Sequence, residues 1–428
     1  MSKHSFKFDR EKIDVEIPDE NLLGILTSHD IPCAATEEEA VFKALENPVE
    51  SARIGDKVKP GEKVCIVICD LTRAWQRTHF YLPILVKEIK RGGVKDEDIF
   101  FISGTGTHRS QTPEEHKALL GEELSGKHKI YDHNSTTAEM TDFGTTSRGT
   151  PIRFNKMATD ADHVILTGGL SYHFMAGWAG GRKAILPGIS SYETIMANHA
   201  LTLNPPPGKG RNLACRTGNL DGNLMHLDMM EAVSKIEPSF LLNVIMNASG
   251  QIGWAVAGDW QKAFMAGTAI VDSVDAVDIS EKADLVIASA CGFPKDMNLY
   301  QTGKTIFNCW EAAKPGGAII VLSACSEGYG NKEMQRMLQE FKNSDEREVE
   351  LRRKFSIEKH IGYCTGQVAE QHDLHLVTNM DSSLLEGTGI KASKTIEEAL
   401  EKVYAYHGRT PKTLLMPQGA NTLPRLQL

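Results

Sequence analysis

The feature that most constrains the fold is a series of apolar segments that each end in a polar or glycine-rich loop. Lys63–Cys69 is apolar at nearly every position, as a strand buried on both faces of a parallel sheet must be. It ends in Asp70–Arg73, and the segment Ile99–Ile102 ends in Gly104–Arg109. A third segment, His163–Leu166, precedes a long glycine-rich loop. Because the carboxyl ends of parallel strands meet at one edge of a sheet, the sequence predicts an α/β fold with a ligand site there.

The glycine-rich loop that follows the third segment, residues 168–199, is the largest candidate site. The pair Gly180-Gly181 marks a turn that a regular helix or strand does not tolerate. A loop of this kind can bring His173, Lys183 and His199 into one pocket above the end of a strand. The alternative is a long surface loop whose histidines share no role.

Helix starts are marked by capping pairs. Thr112 and Glu115, with Pro113 at the first helical position, predict one start. Ser190 and Glu193 predict another, for the helix that carries His199.

The alternation of strands and helices divides into two predicted domains. Residues 1–272 form an N-terminal α/β domain with the loops described above, a β-rich lead-in and a hairpin between 239 and 259. Residues 273–411 form a C-terminal α/β domain, and the tail 412–428 is expected to pack back on the first domain. The expected architecture is two α/β domains with mostly parallel sheets and an active site in the cleft between them.

A second candidate binding group lies at the start of a predicted helix in the C-terminal domain. Tyr300, Gln301 and Lys304 fall in its first turns, where free backbone N–H groups and the helix dipole favour an anion. A carboxylate ligand would explain a lysine at this end of a helix. The alternative is a solvated surface lysine.

Composition excludes several classes of protein. The formal net charge of −9 argues against a nucleic-acid or anionic-membrane partner. No segment approaches the roughly 20 apolar residues of a membrane span, and the first twenty residues lack the apolar core of a signal peptide. The eight cysteines include no CxxC pair, which argues against a zinc ribbon or a disulfide framework. We therefore expect a cytoplasmic protein, and the sequence leaves monomer and homodimer open.

The polar residues of the loops suggest proton transfer on a small acid. Arg73 can bind a carboxylate in bidentate fashion. His108 and His173 lie in separate loops, and two bases facing one ligand are what a racemase requires. Two alternatives remain: a zinc hydrolase that uses these histidines with His199, and a non-catalytic ligand sensor. The segment around Lys183 is not a phosphate loop, because its glycine spacing and the residue after the lysine do not fit GxxxxGK[ST].

Four motifs in one order carry a resemblance to a known family. They are DLTR at 70–73, GTHR at 106–109, the GGRKAILPGI segment at 180–189 and YQTGK at 300–304. Together they resemble the nickel-dependent lactate racemase family, and the similarity extends over most of the chain. The resemblance implies a nickel-pincer nucleotide, a pyridinium mononucleotide with two sulfur-bearing arms that bind nickel, made by separate cofactor-biosynthesis proteins.

The resemblance also implies a role for each matching residue. His108 and His173 would be the paired acid/base groups, and His199 would be the nickel ligand. The substrate, a small 2-hydroxy acid, would be racemised or epimerised by reversible hydride transfer to the cofactor. The remaining residues implied are the attachment lysine Lys183, the cofactor contacts Asp70, Thr72, Gly180 and Gly181, and the substrate contacts Arg73, Tyr300, Gln301 and Lys304.

One loop departs from the family pattern. After Arg73 the family usually continues with prolines, whereas this chain has Ala74-Trp75-Gln76. Because that loop borders the expected carboxylate site, we predict a substrate that is bulkier or more polar than lactate. The alternative is that Trp75 packs against the second domain.

Overall fold

The computed structural model describes residues 2–427, which fall into two compact units. The terminal unit contains both chain ends: the residues through Asp30, Leu203–Arg211 and the residues from Ser273 on. The central unit contains Ile31–Thr202 and Asn212–Asp272. Within the described part of the chain, no helix is long and apolar enough to cross a membrane.

The first thirty residues supply three strands. These are β1 (Ser2–Phe8), β2 (Glu11–Ile17) and β3 (Leu22–Ile25). β1 and β2 pair as an antiparallel hairpin, which the weak alternation of the sequence predicts.

The central unit is built on parallel strands followed by helices. Its strands are β4 (Val64–Cys69), β5 (Ile99–Gly104), β6 (Lys129–Asp132), β7 (Met140–Thr145), β8 (Pro151–Asn155), β9 (His163–Gly169), β10 (Tyr172–His173), β11 (Gly177–Trp178), β12 (Phe240–Met246) and β13 (Ile252–Gly258). Its helices are α1 (Glu37–Glu46), α2 (Ile54–Lys57), α3 (Thr78–Arg91), α4 (Pro113–Leu124), α5 (Lys156–Thr159), α6 (Tyr192–Ala200), α7 (Leu224–Val233) and α8 (Trp260–Asp275).

The main sheet of this unit has six strands in the order β13-β12-β9-β4-β5-β6. All neighbours are parallel except β12 and β13, which form the predicted antiparallel hairpin. Val64, Ile66 and Ile68 of β4 are at most 1% exposed and pack in one core with residues of α3, including Leu82 and Leu85. The parallel arrangement places the loops after β4, β5 and β9 at the same edge, as the sequence predicts.

One of the two predicted helix starts is confirmed and the other is displaced. Thr112 caps α4 with a complete capping box that includes Glu115. At α6 the cap is Ser191, which accepts from the Thr194 N–H at 3.2 Å, so the expectation for Ser190 is wrong by one residue. The Ser190 hydroxyl instead donates to the Ile185 carbonyl at 2.7 Å, because the preceding loop folds back on itself.

The terminal unit is a second parallel α/β assembly. Its further strands are β14 (Ala276–Ile279), β15 (Ala283–Ser289), β16 (Ala313–Leu322), β17 (Asp373–Val377), β18 (Lys391–Ser393), β19 (Thr413–Met416) and β20 (Leu423–Leu426). Its helices are α9 (Leu299–Ala312), α10 (Lys332–Gln339), α11 (Ser344–Arg353), α12 (Ile357–Gln371) and α13 (Ile396–His407). The main sheet has the order β18-β17-β16-β15-β19-β3 and is parallel throughout.

The chain ends lie elsewhere than the sequence predicts. The sequence predicts that the tail packs on the domain formed by residues 1–272, yet β19 is an inner strand of the terminal sheet, between β15 and β3. Residues through Asp30 belong to the same unit, because Leu22 pairs with Thr413 and the buried Phe6 and Ile17 pack in the core of this sheet. An apolar strand must be paired on both edges when buried, but its periodicity does not say with which sheet.

Candidate functional site

The loops after β5 and β9 are in direct contact at the carboxyl edge of the central sheet. The Gly106 N–H donates to the Gly188 carbonyl at 3.0 Å. A Cβ on Gly104 would lie 3.2 Å from the Cα of Gly188, so the two backbones approach too closely for a side chain there. These contacts fix the glycine-rich loop against the loop that carries His108.

His108 is joined to the loop after β4 through a buried carboxylate. Its Nδ1 lies 2.5 Å from Oδ2 of Asp70, which is only 5% exposed, whereas the His108 ring is half exposed. The Thr72 hydroxyl donates to the other Asp70 oxygen at 2.5 Å. Burial by itself would raise the pKa of Asp70, but the hydrogen bonds from His108 and Thr72 outweigh it and lower the pKa. A carboxylate that holds one nitrogen of an exposed imidazole leaves the other nitrogen to exchange protons with a ligand.

The 3-10 turn Leu71–Gln76 carries Arg73, the candidate group for binding a substrate carboxylate. Arg73 is exposed and its guanidinium donates to the Thr72 hydroxyl at 3.2 Å. Trp75 is 49% exposed, whereas Gln76 is 3% exposed and accepts from the Gly169 N–H at 2.6 Å. Gln76 therefore ties this turn to the end of β9, and Arg73 and Trp75 are on its exposed side.

The two glycines of the GGRK segment are required by close neighbours. Gly180 and Gly181 have φ of 73° and 54°, in the region that favours glycine. A Cβ on Gly180 would lie 2.7 Å from the Asn243 side-chain oxygen, and one on Gly181 would lie 2.5 Å from the Phe264 ring. The same Asn243 oxygen accepts from the Gly181 N–H at 2.8 Å. Both glycines are thus clamped to β12 and α8.

Arg182 and Lys183 follow in a short 3-10 turn, Gly181–Ala184. Arg182 is fully buried, with its guanidinium 4.3 Å from the centre of the Phe264 ring, and burial lowers its pKa to about 9. Burial, followed by the charges of Arg182 and Arg73, lowers the pKa of Lys183 to about 7. A lysine with that pKa has a large fraction of neutral amine at pH 7, unlike an ordinary lysine, and the amine is the form that can bond covalently as a nucleophile.

His173 is held by its own loop. The ring is half-buried, and its Nδ1 accepts from the backbone N–H groups of Met175 and Ala176, both at 3.2 Å. The ring also stacks on Phe174 with centroids 5.0 Å apart.

His199 is buried in the last turn of α6. It is 1% exposed, and its Nδ1 lies 2.8 Å from the Ile195 carbonyl. A carbonyl only accepts, so Nδ1 carries the proton and the neutral ring presents a lone pair at Nε2. This is the arrangement in which histidine ligates a metal. The neighbouring Asn198 anchors the helix by donating to Asp228 of α7 at 2.9 Å.

Tyr300, Gln301 and Lys304 begin α9 in the terminal unit. Asn298 caps this helix by accepting from the Gln301 N–H at 3.0 Å. Gln301 and Lys304 are exposed and share one face, while Tyr300 is half-buried. The predicted placement in the first turns is confirmed.

Some residues of the site are not predicted from the sequence. Arg182, Asn243, Gln76 and Phe264 are all buried, and together they position the loops that carry the candidate groups. In the sequence they resemble ordinary core or loop residues, because their partners are distant along the chain. Of these four, only Arg182 stands out in the sequence, as a charged residue directly after the glycine pair.

The structure does not support the alternative of a zinc hydrolase that uses His108, His173 and His199 on one metal ion. Among residues 2–427, no group of three or more histidine, cysteine or acidic side chains is placed to hold a metal ion together.

Comparisons with known proteins agree with the two-unit fold. A family model described as "Lactate racemase N-terminal domain" matches residues 8–210, and one described as "Lactate racemase C-terminal domain" matches residues 278–423. A lactate racemase of Thermoanaerobacterium thermosaccharolyticum is 35% identical over 80% of this chain and 79% of its own length. A lactate racemase of Lactiplantibacillus plantarum is 31% identical over 97% of this chain and 98% of its own length.

Solved structures show the same similarity. The lactate racemase apoprotein of Thermoanaerobacterium thermosaccharolyticum superposes with a TM-score of 0.90 at 31% identity, covering 99% of this chain and 100% of that one. A protein from Thermotoga maritima shares the fold, with a TM-score of 0.63 at 19% identity over 92% of this chain and 98% of that one. The fold and the named relatives define an isomerase that acts as a racemase. The chain belongs to the lactate racemase family.

Proposed function

We propose that this racemase inverts a 2-hydroxy acid by reversible hydride transfer to a nickel-pincer nucleotide that is covalently held by Lys183. The observation that carries the proposal is the His108–Asp70 pair beside Arg73, at the same sheet edge as Lys183, whose pKa is lowered to about 7. His108 is the proton acceptor, Arg73 binds the substrate carboxylate, and Lys183 is the attachment point for the cofactor, all at one edge of the sheet.

The residues present fit the cofactor chemically. Lys183 has the lowered pKa that an amine needs to form a thioamide, and His199 has the proton on Nδ1 that leaves Nε2 suited to nickel. Gly180 and Gly181, which precede Arg182 and Lys183, have no room for a side chain against Asn243 and Phe264. When bound, the nucleotide supplies a reversible hydride acceptor. Its presence depends on separate cofactor-biosynthesis proteins.

The protein's own groups bind the substrate and move protons. Arg73 would bind the substrate carboxylate, and the resemblance gives Tyr300, Gln301 and Lys304 substrate contacts as well. His108 would take the hydroxyl proton at Nε2, and the Asp70 carboxylate would stabilise the imidazolium that forms. His173 would exchange the corresponding proton for the other enantiomer. Asp70 thus acts as the positioning group of His108, in addition to the cofactor contact that the resemblance implies.

Trp75 supports a substrate that is larger or more polar than lactate. Half of its side chain is exposed, two residues from Arg73, so an indole is available beside the proposed carboxylate site. An aromatic ring there provides contact area for a side chain longer than a methyl group.

The proposal is tested by loading the protein in the presence of the cofactor-biosynthesis proteins. The intact mass should increase by the cofactor on Lys183, and Lys183→Arg should abolish the increase. Loaded protein is then given single enantiomers of lactate, longer aliphatic, aromatic, dicarboxylic and sugar acids. Inversion of one class supports the function, and the substrate prediction fails if lactate is the best of the panel. Confirmed loading without any inversion contradicts the racemase proposal.

A further inference from the structure

The two proposed proton-transfer histidines are held by opposite kinds of partner. His108 places Nδ1 against the Asp70 carboxylate, which at neutral pH only accepts hydrogen bonds. Nδ1 therefore carries the proton, and the lone pair of the neutral ring is on Nε2. In this tautomer His108 is ready to accept a proton from a ligand.

His173 is in the reverse situation. Its Nδ1 faces the N–H groups of Met175 and Ala176, which only donate. The lone pair is therefore on Nδ1, and the neutral ring carries its proton on Nε2. An imidazole that accepts or donates a proton at Nε2 without becoming an anion must carry a proton on Nδ1. In His173 the two backbone N–H dipoles that face Nδ1 disfavour a proton there.

The turn that supplies these N–H groups is itself held by buried side chains. The Arg182 guanidinium donates to the Ala176 carbonyl at 2.6 Å and to the Trp178 carbonyl at 3.1 Å. The Asn223 amide donates to the Met175 carbonyl at 2.9 Å. Arg182 and Asn223 are both fully buried. The carbonyls of Met175, Ala176 and Trp178 are therefore held by donors in the interior of the central unit.

Glycine completes the turn. Gly177 has a φ of 78°, and a Cβ there would lie 2.6 Å from the Asn219 carbonyl oxygen. The Gly177 carbonyl accepts from the Gly218 N–H at 3.1 Å. The segment between His173 and Trp178 therefore has little freedom to turn its N–H groups away from the ring.

We infer that Arg182 and Asn223 are positioning residues that hold His173 in the Nε2–H tautomer, opposite to that of His108. His108 is thus the base of the resting site, and His173 rests as a hydrogen-bond donor that enters proton transfer only when Nδ1 leaves the two amides. The two enantiomers of a substrate then begin turnover from unequal states. The tautomer assignment stands on the contacts alone, whereas its kinetic consequence rests on the proposed function.

The tautomers are measured by ring-nitrogen NMR of the full-length protein labelled with 15N-histidine. His108→Asn and His173→Asn identify the two signals by their loss. We expect the Nδ1–H pattern for His108 and the Nε2–H pattern for His173 at neutral pH. Asn223→Ser retains a cap for α7 but removes the donor to Met175, and it should shift the His173 signal towards the other tautomer or the protonated form.

Controls separate positioning from general loss of structure. Asn343→Ser changes a helix cap of the same kind at α11 and should leave both signals in place. Arg182→Lys keeps the positive charge but removes the paired guanidinium donors to Ala176 and Trp178. This variant should move the His173 signal and leave the His108 signal unchanged. The assignment is overturned if His173 shows the Nδ1–H or the protonated pattern in the wild type, or if neither variant moves its signal.

The kinetic consequence is measured with loaded enzyme and separate enantiomers. Mirror-image products have an equilibrium constant of one, so kcat/KM must be equal in both directions. Unequal histidines should therefore appear as a severalfold difference in kcat matched by the same difference in KM, and Asn223→Ser should bring the ratio closer to one. Equal kcat values overturn the inequality, while absence of any turnover contradicts the proposed function and leaves the NMR result to decide the tautomers.

Discussion

At the scale of single residues, the site depends on buried charges that change the protonation of their neighbours. Within the central unit, the Arg182 guanidinium contacts backbone carbonyls and the Phe264 ring and not a carboxylate. Its charge adds to burial in lowering the pKa of Lys183. A lysine stabilised as the amine is what a covalent attachment site requires.

This state of Lys183 predicts an unusual pH dependence of its reactivity. The amine, not the ammonium, is acylated, and a pKa lowered to about 7 means that the amine is already fully formed well below the ordinary lysine value of 10.5. The rate of acetylation of Lys183 in unloaded protein, followed by peptide mass spectrometry, should level off above about pH 8. The exposed Lys95 serves as an internal comparison. A Lys183 rate that continues to rise to pH 10 contradicts the prediction.

Asp70→Asn tests the orientation of His108. The amide removes the charge that stabilises the imidazolium and can present an N–H to Nδ1, which favours the wrong tautomer. We expect kcat of the loaded enzyme to fall by about 100-fold. Asp142→Asn, which removes an exposed carboxylate paired with Arg153, should leave kcat unchanged. A value of kcat within twofold of wild type would show that Asp70 does not orient His108.

At the scale of elements, the sequence predicts the strands and the polar loops that follow them but not what holds those loops. Strand β4 is recognisable because six consecutive positions are suited to burial on both faces. Helix α7 is hard to recognise from the sequence, because its residues are apolar on most faces and show little helical contrast. The sequence also does not show that Ser191 rather than Ser190 caps α6, because these two adjacent serines differ only in the contacts that the folded loop makes with them.

Asn243 is the clearest case of an element held by a distant side chain. Its amide donates to the Gly168 carbonyl of β9 at 3.0 Å and accepts from Gly181. Asn243→Ala leaves both backbone groups unsatisfied in a buried place and should cost about 1–3 kcal/mol of unfolding free energy. Asn47→Ala, at the exposed end of α1, should cost less than about 0.5 kcal/mol. Equal shifts of the urea midpoint for the two variants would refute the clamp.

At the scale of the whole molecule, sequence pattern predicts two parallel α/β units but not how the chain ends are shared between them. Both ends belong to the terminal unit, where β19 lies between β15 and β3. Pairing partners far apart in sequence leave no mark in local periodicity, whereas each strand's burial does. The candidate site residues are recognisable from sequence motifs, some in loops directly after strands, as Arg73 and His108 are, and others on helices, as His199 and Lys304 are.

The position of the tail has a consequence for stability. Leu415 is fully buried in β19, and Leu415→Ala should destabilise the protein by about 2–5 kcal/mol through loss of packing. Leu426, in the last strand, is 37% exposed, and Leu426→Ala should have a much smaller effect. Thermal unfolding distinguishes the two. Similar small effects would mean that the tail is a peripheral strand after all.

The central claim is that the α-hydrogen of the substrate leaves and returns as hydride while histidines move only the hydroxyl proton. The most direct test is inversion of a single enantiomer of the active 2-hydroxy acid by loaded enzyme in deuterated water. Because hydride does not exchange with solvent, the inverted product should carry no deuterium at its α-carbon. Deuterium at that carbon would mean that a histidine removes the α-hydrogen as a proton, and the proposed mechanism would be wrong.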